Sequence, residues 1–208
     1  MMTDVIIIGG GPSGCAAALG LNRLGYRVVL CDQAKFPRDK VCGEFISPAA
    51  DPILKRLGVL DRIEALSPKR LKGVAISSYE GEEIVIDYPK MPGMDARPTS
   101  LSVPRYELDA SFLVKVKQVG VEVLEQHKVT EFLFTDGRVN GVSGLDESKT
   151  SFTLKAPLVI DAGGRNAISL RKMGLKNKPA ENIKIAMAAH WQWAQIADDY
   201  CYMHVSHP

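Results

Sequence analysis

The chain has 208 residues, of which 46% are apolar and 24% charged, and its formal net charge is +2. That length and apolar content suit one large core or two small ones. The near-neutral balance excludes recognition of nucleic acid or of an anionic membrane by bulk charge alone.

The run VIII at 5–8, branched and bounded by Asp4 and three glycines, predicts a strand buried on both faces. A helix follows in GCAAALGLNRLG, where Ala17, Leu21 and Leu24 recur at i, i+4 and i+7 and Gly25 supplies the C-terminal cap. RVVLCD gives a second buried strand ending at Asp32, so residues 4–32 form one βαβ unit. SPAADPILKRLGVLDRIEAL predicts two helical pieces broken at Gly58, with Ser47 or Asp51 as caps. GVAISSYEGEEIVIDY changes to short β-rich runs around EGEE, a hairpin of a different sheet. After the Pro-rich YPKMPGMDARP, the stretch VPRYELDASFLVKVKQVG reads as a helix with Leu108, Phe112, Val116 and Val119 on one face. VEVL is a strand, and KVTEFLFTDGRVNGVSGLDESKTSFTL is three short strands turning at TDGR and DESK. PLVIDAGG is another buried strand that runs into glycines. The alternation of Ile183, Ile185, Met187, Ala189, Trp191 and Trp193 predicts a long antiparallel strand.

The four cysteines, at 15, 31, 42 and 201, lack the CxxC or close Cys/His spacing of structural zinc, and a disulfide framework is not expected. Cys15 and Cys31 read as buried, inert thiols. His204 and His207 lie three apart with no acidic or cysteine partner, so no metal is expected. No window reaches the roughly 18 apolar residues of a membrane span, and the N-terminus has no basic start. The reading is a soluble protein of a reducing, cytoplasmic compartment.

Gly9, Gly11 and Gly14 form GxGxxG at the strand-to-helix junction, with Pro12 and Ser13 beside them as further cofactor-side residues. Gly9 permits the tight turn, Gly11 lets backbone approach a pyrophosphate, and Gly14 lets the helix pack close to the strand. The helix N-terminus then offers unpaired N–H groups and a partial positive charge to phosphates. Asp32, 18 residues past Gly14 at the end of the second strand, can accept hydrogen bonds from a ribose diol. These residues imply a bound adenine dinucleotide, without separating NAD from FAD. For the loop FPRDKVCGEF, residue chemistry alone leaves Cys42 open between a reactive thiol, a plain loop thiol and a residue set beside a bound group.

DVIIIGGGPSGCAAALGLNRLGYRVVLCD, FPRDKVCGEFISP, VPRYELDASF and VIDAGGRNA, in that order, resemble the FAD-dependent oxidoreductases that include the geranylgeranyl reductases and, more distantly, flavin halogenases and aromatic hydroxylases. The resemblance covers most of residues 1–175. It implies FAD as cofactor, with NAD(P)H a reductant open to it. Cys42 and Gly43 would sit near the isoalloxazine ring, Arg105 would neutralise the pyrophosphate, and the backbone of Val129 would meet the adenine. Asp161, Ala162, Gly163 and Gly164 would form the second nucleotide-side motif. The segment WQWAQI departs from the tryptophan motif of flavin halogenases: His190 stands where glycine is expected, an extra residue precedes Ile196, and no proline follows.

The implied fold class is α/β: a Rossmann-like, doubly wound FAD-binding domain with an inserted antiparallel β-sheet substrate domain. Residues 1–70 would be the first part of the FAD domain, 71–98 a substrate-domain hairpin, 99–175 the second part with its three-stranded meander, and 176–208 the start of the substrate-domain sheet. Members of the group carry a third flavin motif, Gly-Asp followed by small residues, which this sequence lacks, so it reads as the N-terminal half of an enzyme that alone would carry little FAD. The implied activity is flavin-mediated hydride or electron transfer to an apolar, isoprenoid-class substrate. The alternatives are an aromatic monooxygenase using FAD and NAD(P)H, and a non-catalytic dinucleotide-binding fragment. No residue is assigned a catalytic role, no nucleic-acid partner is expected, and peripheral membrane contact is compatible with the reading.

Overall fold

The computed structural model describes residues 2–90, 98–175, 185–192 and 199–206. The first strand, β1 (Val5–Ile8), is followed by α1 (Pro12–Arg23) and β2 (Val28–Cys31). Pro12 suits the first helical turn, where its missing N–H leaves no bond unmade, and Gly25 closes the helix at φ +88°, one residue past the Leu24 cap. The inward face of α1 is Cys15, Ala18 and Leu19. Ala17 and Leu21 only flank that face, and Leu24 is exposed, which corrects the expected stripe. The reason lies at Gly14, where an added Cβ would stand 1.8 Å from the Gly9 carbonyl oxygen: this close contact sets which side of the helix meets the sheet.

Next come β3 (Phe45–Ile46), α2 (Asp51–Arg56) and α3 (Leu60–Glu64), the two helices separated at Gly58 with φ +68°. Ser47 caps a short 3₁₀ turn before α2, its Oγ accepting from the Ala49 N–H at 3.4 Å. The strands β4 (Lys69–Leu71), β5 (Gly73–Ser77) and β6 (Glu83–Asp87) follow, β5 and β6 forming the expected hairpin. After β7 (Ser100–Ser102), α4 (Arg105–Gln118) buries Leu108, Phe112 and Val116 as the periodicity predicts, while Val119 becomes the exposed cap residue. β8 (Glu122–Leu124) precedes the meander β9 (Lys128–Thr135), β10 (Arg138–Leu145) and β11 (Ser151–Lys155). The chain continues through β12 (Leu158–Asp161), α5 (Ile168–Lys172) and β13 (Tyr200–His204).

The central sheet is parallel, in the order β12-β1-β2-β8. Alternate residues of its strands feed two cores, which explains why VIII is buried on both sides. Val5, Ile7 and Leu30 pack under α1 and α4 against Leu19, Phe112 and Val116. Ile6, Val29 and Cys31 face the other way, onto Val129 and Val142 of the meander and Ile168 of α5. Two small sheets stand beside this unit, β3-β7-β4 and β13-β5-β6, and in the second β13 runs parallel to β5.

The long strand expected over 183–195 is not formed in its described part. Ile183 and Trp193 lie outside the described residues. Residues 185–192 are not in a strand, and Ile185, Met187 and Trp191 are exposed. Alternation supports a strand only where a partner supplies ladder hydrogen bonds and a face to bury against. No backbone hydrogen bond joins 185–192 to another described residue. Among the described residues, no helix is long and apolar enough to cross a membrane.

Candidate functional site

A cavity of about 1320 Å³ opens beyond the carboxyl ends of β1, β2 and β12, with Gly9, Asp32 and Asp161 at those ends in its wall. Open α/β sheets place ligands there, because strand ends and helix starts leave backbone groups unpaired around a crevice. Gly9 turns the chain at φ +106°, its N–H bound to the Cys31 carbonyl at 2.7 Å. A Cβ on it would strike Ala162 O at 2.6 Å, so the β1–α1 turn and the loop after β12 approach more closely than a side chain would allow. α1 then starts without a side-chain cap and without an acidic residue in its first turn. Its first N–H groups are therefore open to an external acceptor.

Two guanidinium groups converge on that helix start. A Cβ built on Gly11 would stand 3.8 Å from Nη2 of both Arg105 and Arg38. Both arginines are held by Asp109, whose side chain is 0% exposed. Arg105 donates Nε–H and Nη2–H to the two oxygens of Asp109, at 2.7 and 2.8 Å. Arg38 Nη1 lies 3.2 Å from Asp109 Oδ2. That nitrogen is buried and makes no hydrogen bond, because its N–H bonds are misaligned with the carboxylate: the charges attract, and the donor capacity stays unspent. The Arg38 guanidinium also lies over the Phe36 ring, 4.7 Å from its centre. Arg38 and Asp109 were not among the residues expected from sequence. The available signal was an acid four residues after Arg105, set next to Leu108 on the buried helix face.

The acid at the end of β2 is engaged from within. Asp32 Oδ2 accepts the Gly10 N–H and Oδ1 the Ala34 N–H, each at 2.7 Å. It therefore ties the glycine turn to the second strand, and each oxygen keeps a further lone pair. Asp161 behaves similarly: Oδ1 accepts the Gly163 N–H at 3.0 Å and Oδ2 the Ser169 N–H at 2.7 Å, which fixes the loop that starts α5.

Cys42 and Gly43 also line the cavity. The Cys42 thiol is held below its usual range, first by the Glu44 N–H and then by the Arg105 guanidinium. Cys15 and Cys31, by contrast, are pushed up to about 12 by burial. Glu44 adopts φ +53°; its Oε1 accepts the Arg105 N–H at 3.0 Å, and its Oε2 lies 2.8 Å from His190 Nε2. The Glu44 carboxylate raises the His190 imidazole above its ordinary range. Residues 186–190 line the cavity as an apolar stretch ending in this imidazole.

Of the expected site residues, Gly9, Gly11, Pro12 and Ser13, Asp32 and Val129, Cys42, Gly43 and Arg105, and Asp161 with Gly163 all line the cavity. Gly14 does not reach the cavity; its role is the close packing on Gly9. Residues 2–207 match the family described as FAD binding domain. The chain belongs to that family.

Members similar to this chain do different chemistry. A menaquinone reductase of Mycolicibacterium smegmatis is 34% identical over 166 residues, 79% of this chain and 38% of that protein. A tryptophan 2-halogenase of Chondromyces crocatus is 32% identical over 201 residues, 94% of this chain and 37% of that protein. Among solved structures, a flavoprotein/dehydrogenase from Cytophaga hutchinsonii superposes with a TM-score of 0.76 at 26% identity, covering 87% of this chain and 44% of that one. The chain thus spans less than half the length of these relatives. Its cavity fits the family's cofactor, FAD, on three counts: an uncapped helix start, a gap between that start and two guanidinium groups, and a buried Arg38 N–H with no acceptor.

Proposed function

We propose that this chain forms the nucleotide-binding part of a flavin-dependent oxidoreductase, similar to geranylgeranyl reductases, acting on an apolar, isoprenoid-class substrate. The observation that carries the reading is the pair of guanidinium groups poised over the open N-terminus of α1. The N–H groups of Gly11 and Ser13, with Arg38 and Arg105, would hold the pyrophosphate. Asp32 would accept from the ribose through its remaining lone pairs, the Val129 backbone would meet the adenine, and Asp161 with Gly163 would shape the second nucleotide-side loop. Cys42 and Gly43 would lie beside the isoalloxazine ring. Bound FAD supplies hydride or electron transfer at its N5.

The chain's own part is to orient that group, neutralise its phosphates and present an apolar wall. Ala186, Met187, Ala188 and Ala189 line the cavity and support an apolar substrate, as does a relative named for reducing a quinone. Within this reading, residues 1–70 and 99–175 make the cofactor domain, and 71–98 with 176–208 contribute to a substrate domain.

Titration with FAD, followed by quenching of flavin fluorescence, tests the cofactor site. Arg38→Gln should weaken binding by about 1.5–3 kcal/mol, the worth of a charge-assisted hydrogen bond. Unchanged affinity would remove the pyrophosphate assignment. A second reading, an oxygen-using flavoenzyme, is favoured by the relative named tryptophan 2-halogenase. Turnover of an apolar acceptor without oxygen supports the reductase, whereas oxygen consumption with NAD(P)H coupled to an oxygenated product supports the second reading.

A further inference from the structure

Away from the cavity, the ends of α1, α2 and α4 surround a second, open cleft of about 410 Å³. Leu19 and Leu57 contribute to its apolar lining, Arg23, Arg56 and Lys115 surround it, and no carboxylate lines it. Some cations elsewhere are held in close ion pairs: Arg27 with Asp4, Arg70 with Asp51 and Glu64, Lys117 with Glu125. Arg23, Arg56 and Lys115 have no ion pair among the described residues.

The helix dipole favours a cation near each C-terminus. It does not explain why three such ends share one acid-free cleft, nor what stands beside the cations. Near each of these helix ends an apolar side chain is also exposed, and that of Val119 lines the cleft itself. Leu24, 74% exposed, follows Arg23; Ile53, 48% exposed, lies one turn before Arg56; Val119, 37% exposed, lies one turn after Lys115.

We propose that this face docks on an anionic phospholipid bilayer, with Arg23, Arg56 and Lys115 meeting headgroup phosphates and Leu24, Ile53 and Val119 entering the interface. Cations interleaved with exposed apolar side chains match both layers of such a surface, the charged headgroups and the acyl boundary beneath them. Charge complementarity selects this occupant over a second copy of the chain, whose identical face would bring three cations against three. The chain's net charge of only +2 makes the attraction local to this patch. The inference is independent of the cofactor reading, because none of these residues lines the large cavity.

Flotation of the full chain with vesicles tests it, using phosphatidylcholine alone and phosphatidylcholine with phosphatidylglycerol. The chain should float with the anionic vesicles only, and less so as salt is raised. The triple variant Arg23→Gln, Arg56→Gln, Lys115→Gln should bind about a hundredfold more weakly, roughly fivefold per cation. The variant Leu24→Ser, Ile53→Ser, Val119→Ser should keep a weakened, fully salt-sensitive attraction. Five of the six side chains are exposed and that of Lys115 is half-buried beside Gly58, so circular dichroism, thermal midpoint and FAD affinity should stay close to the wild type in both variants. Equal flotation with both vesicle types, no flotation at all, or wild-type binding by the triple Gln variant would each overturn the proposal. The second of these results would return the face to an acidic protein partner.

Discussion

Asp109 is the residue on which the arrangement of the large cavity depends most. Its carboxylate is fully buried, binds Arg105 through both oxygens and lies 3.2 Å from Arg38. Asp109→Asn keeps the shape and removes the charge. Two guanidinium groups, 16% and 19% exposed, would then share a wall with no counter-charge between them. Breaking a buried pair by removing one partner costs about 3–5 kcal/mol, and since both arginines border an open cavity the lower end applies, about 3 kcal/mol. Urea unfolding followed by circular dichroism should show a lower midpoint at an unchanged slope. Added pyrophosphate should restore part of the loss in the variant, because an anion bound only by the folded state can stand in for the missing carboxylate. Combining Asp109→Asn with Arg105→Met should cost less than the sum of the two changes by about 1–3 kcal/mol, since each then removes the other's unpaired charge. A loss from Asp109→Asn within about 0.5 kcal/mol, the range of an ordinary surface change, would refute the claim that this acid organises the arginines.

Four further outcomes follow from the cavity and the core beneath it. Iodoacetamide at neutral pH should alkylate Cys42 well before Cys15 or Cys31, and Arg105→Met should slow the Cys42 reaction; equal rates for all three thiols would contradict the burial and the Arg105 contact. Because Cys15 and Cys31 keep their protons in the folded state up to about 12 against 9.0 when free, stability should be unaffected below pH 9 and should fall from 9 toward 12, read as a declining urea midpoint. His190 should titrate above its free value of 6.5 by NMR and return toward it in Glu44→Gln. The stability from this contact should be complete below 6.5 and fade as pH rises through the raised value, and a midpoint at or below 6.5 would show the contact to be absent in solution. If Asp32 accepts from ribose, ADP should bind about 1–3 kcal/mol more tightly than its 2′,3′-dideoxy analogue; equal affinities would leave Asp32 a scaffold residue only.

The βαβ unit was legible because its determinants are local. Glycine at 9 permits a positive φ, glycine at 14 permits a close approach, and glycines at 25, 58 and 81 close helices or turns within a few residues of where they stand. The amphipathic face of α4 was legible for the same reason, as a period repeated over three turns. Partners of charges were not. Arg38 reaches Asp109 across 71 positions of sequence, and nothing in FPRDKVCGEF states that its arginine crosses to another helix. The strand expected over 183–195, not formed over its described residues 185–192, has the opposite cause: its alternation is strong, but pairing is a property of two segments, and one segment cannot announce whether a partner meets it.

The acids around the large cavity change how a fingerprint of this kind should be read. Asp32 holds Gly10 and Ala34, Asp109 holds Arg105 and attracts Arg38, Asp161 holds Gly163 and Ser169, and Glu44 holds the Arg105 N–H and His190. Each of these four carboxylates is used on the scaffold, so beside Asp39 much of what faces the cavity is donor: helix N–H groups, guanidinium groups and the turns those acids fix. Donors set in advance need no rearrangement when an anion arrives, which is the condition under which they bind it best. An acid at the end of the second strand is usually read as waiting for a sugar. In this chain its first work is to hold the glycine turn in the shape that a phosphate requires, and contact with the sugar draws on what its oxygens have left.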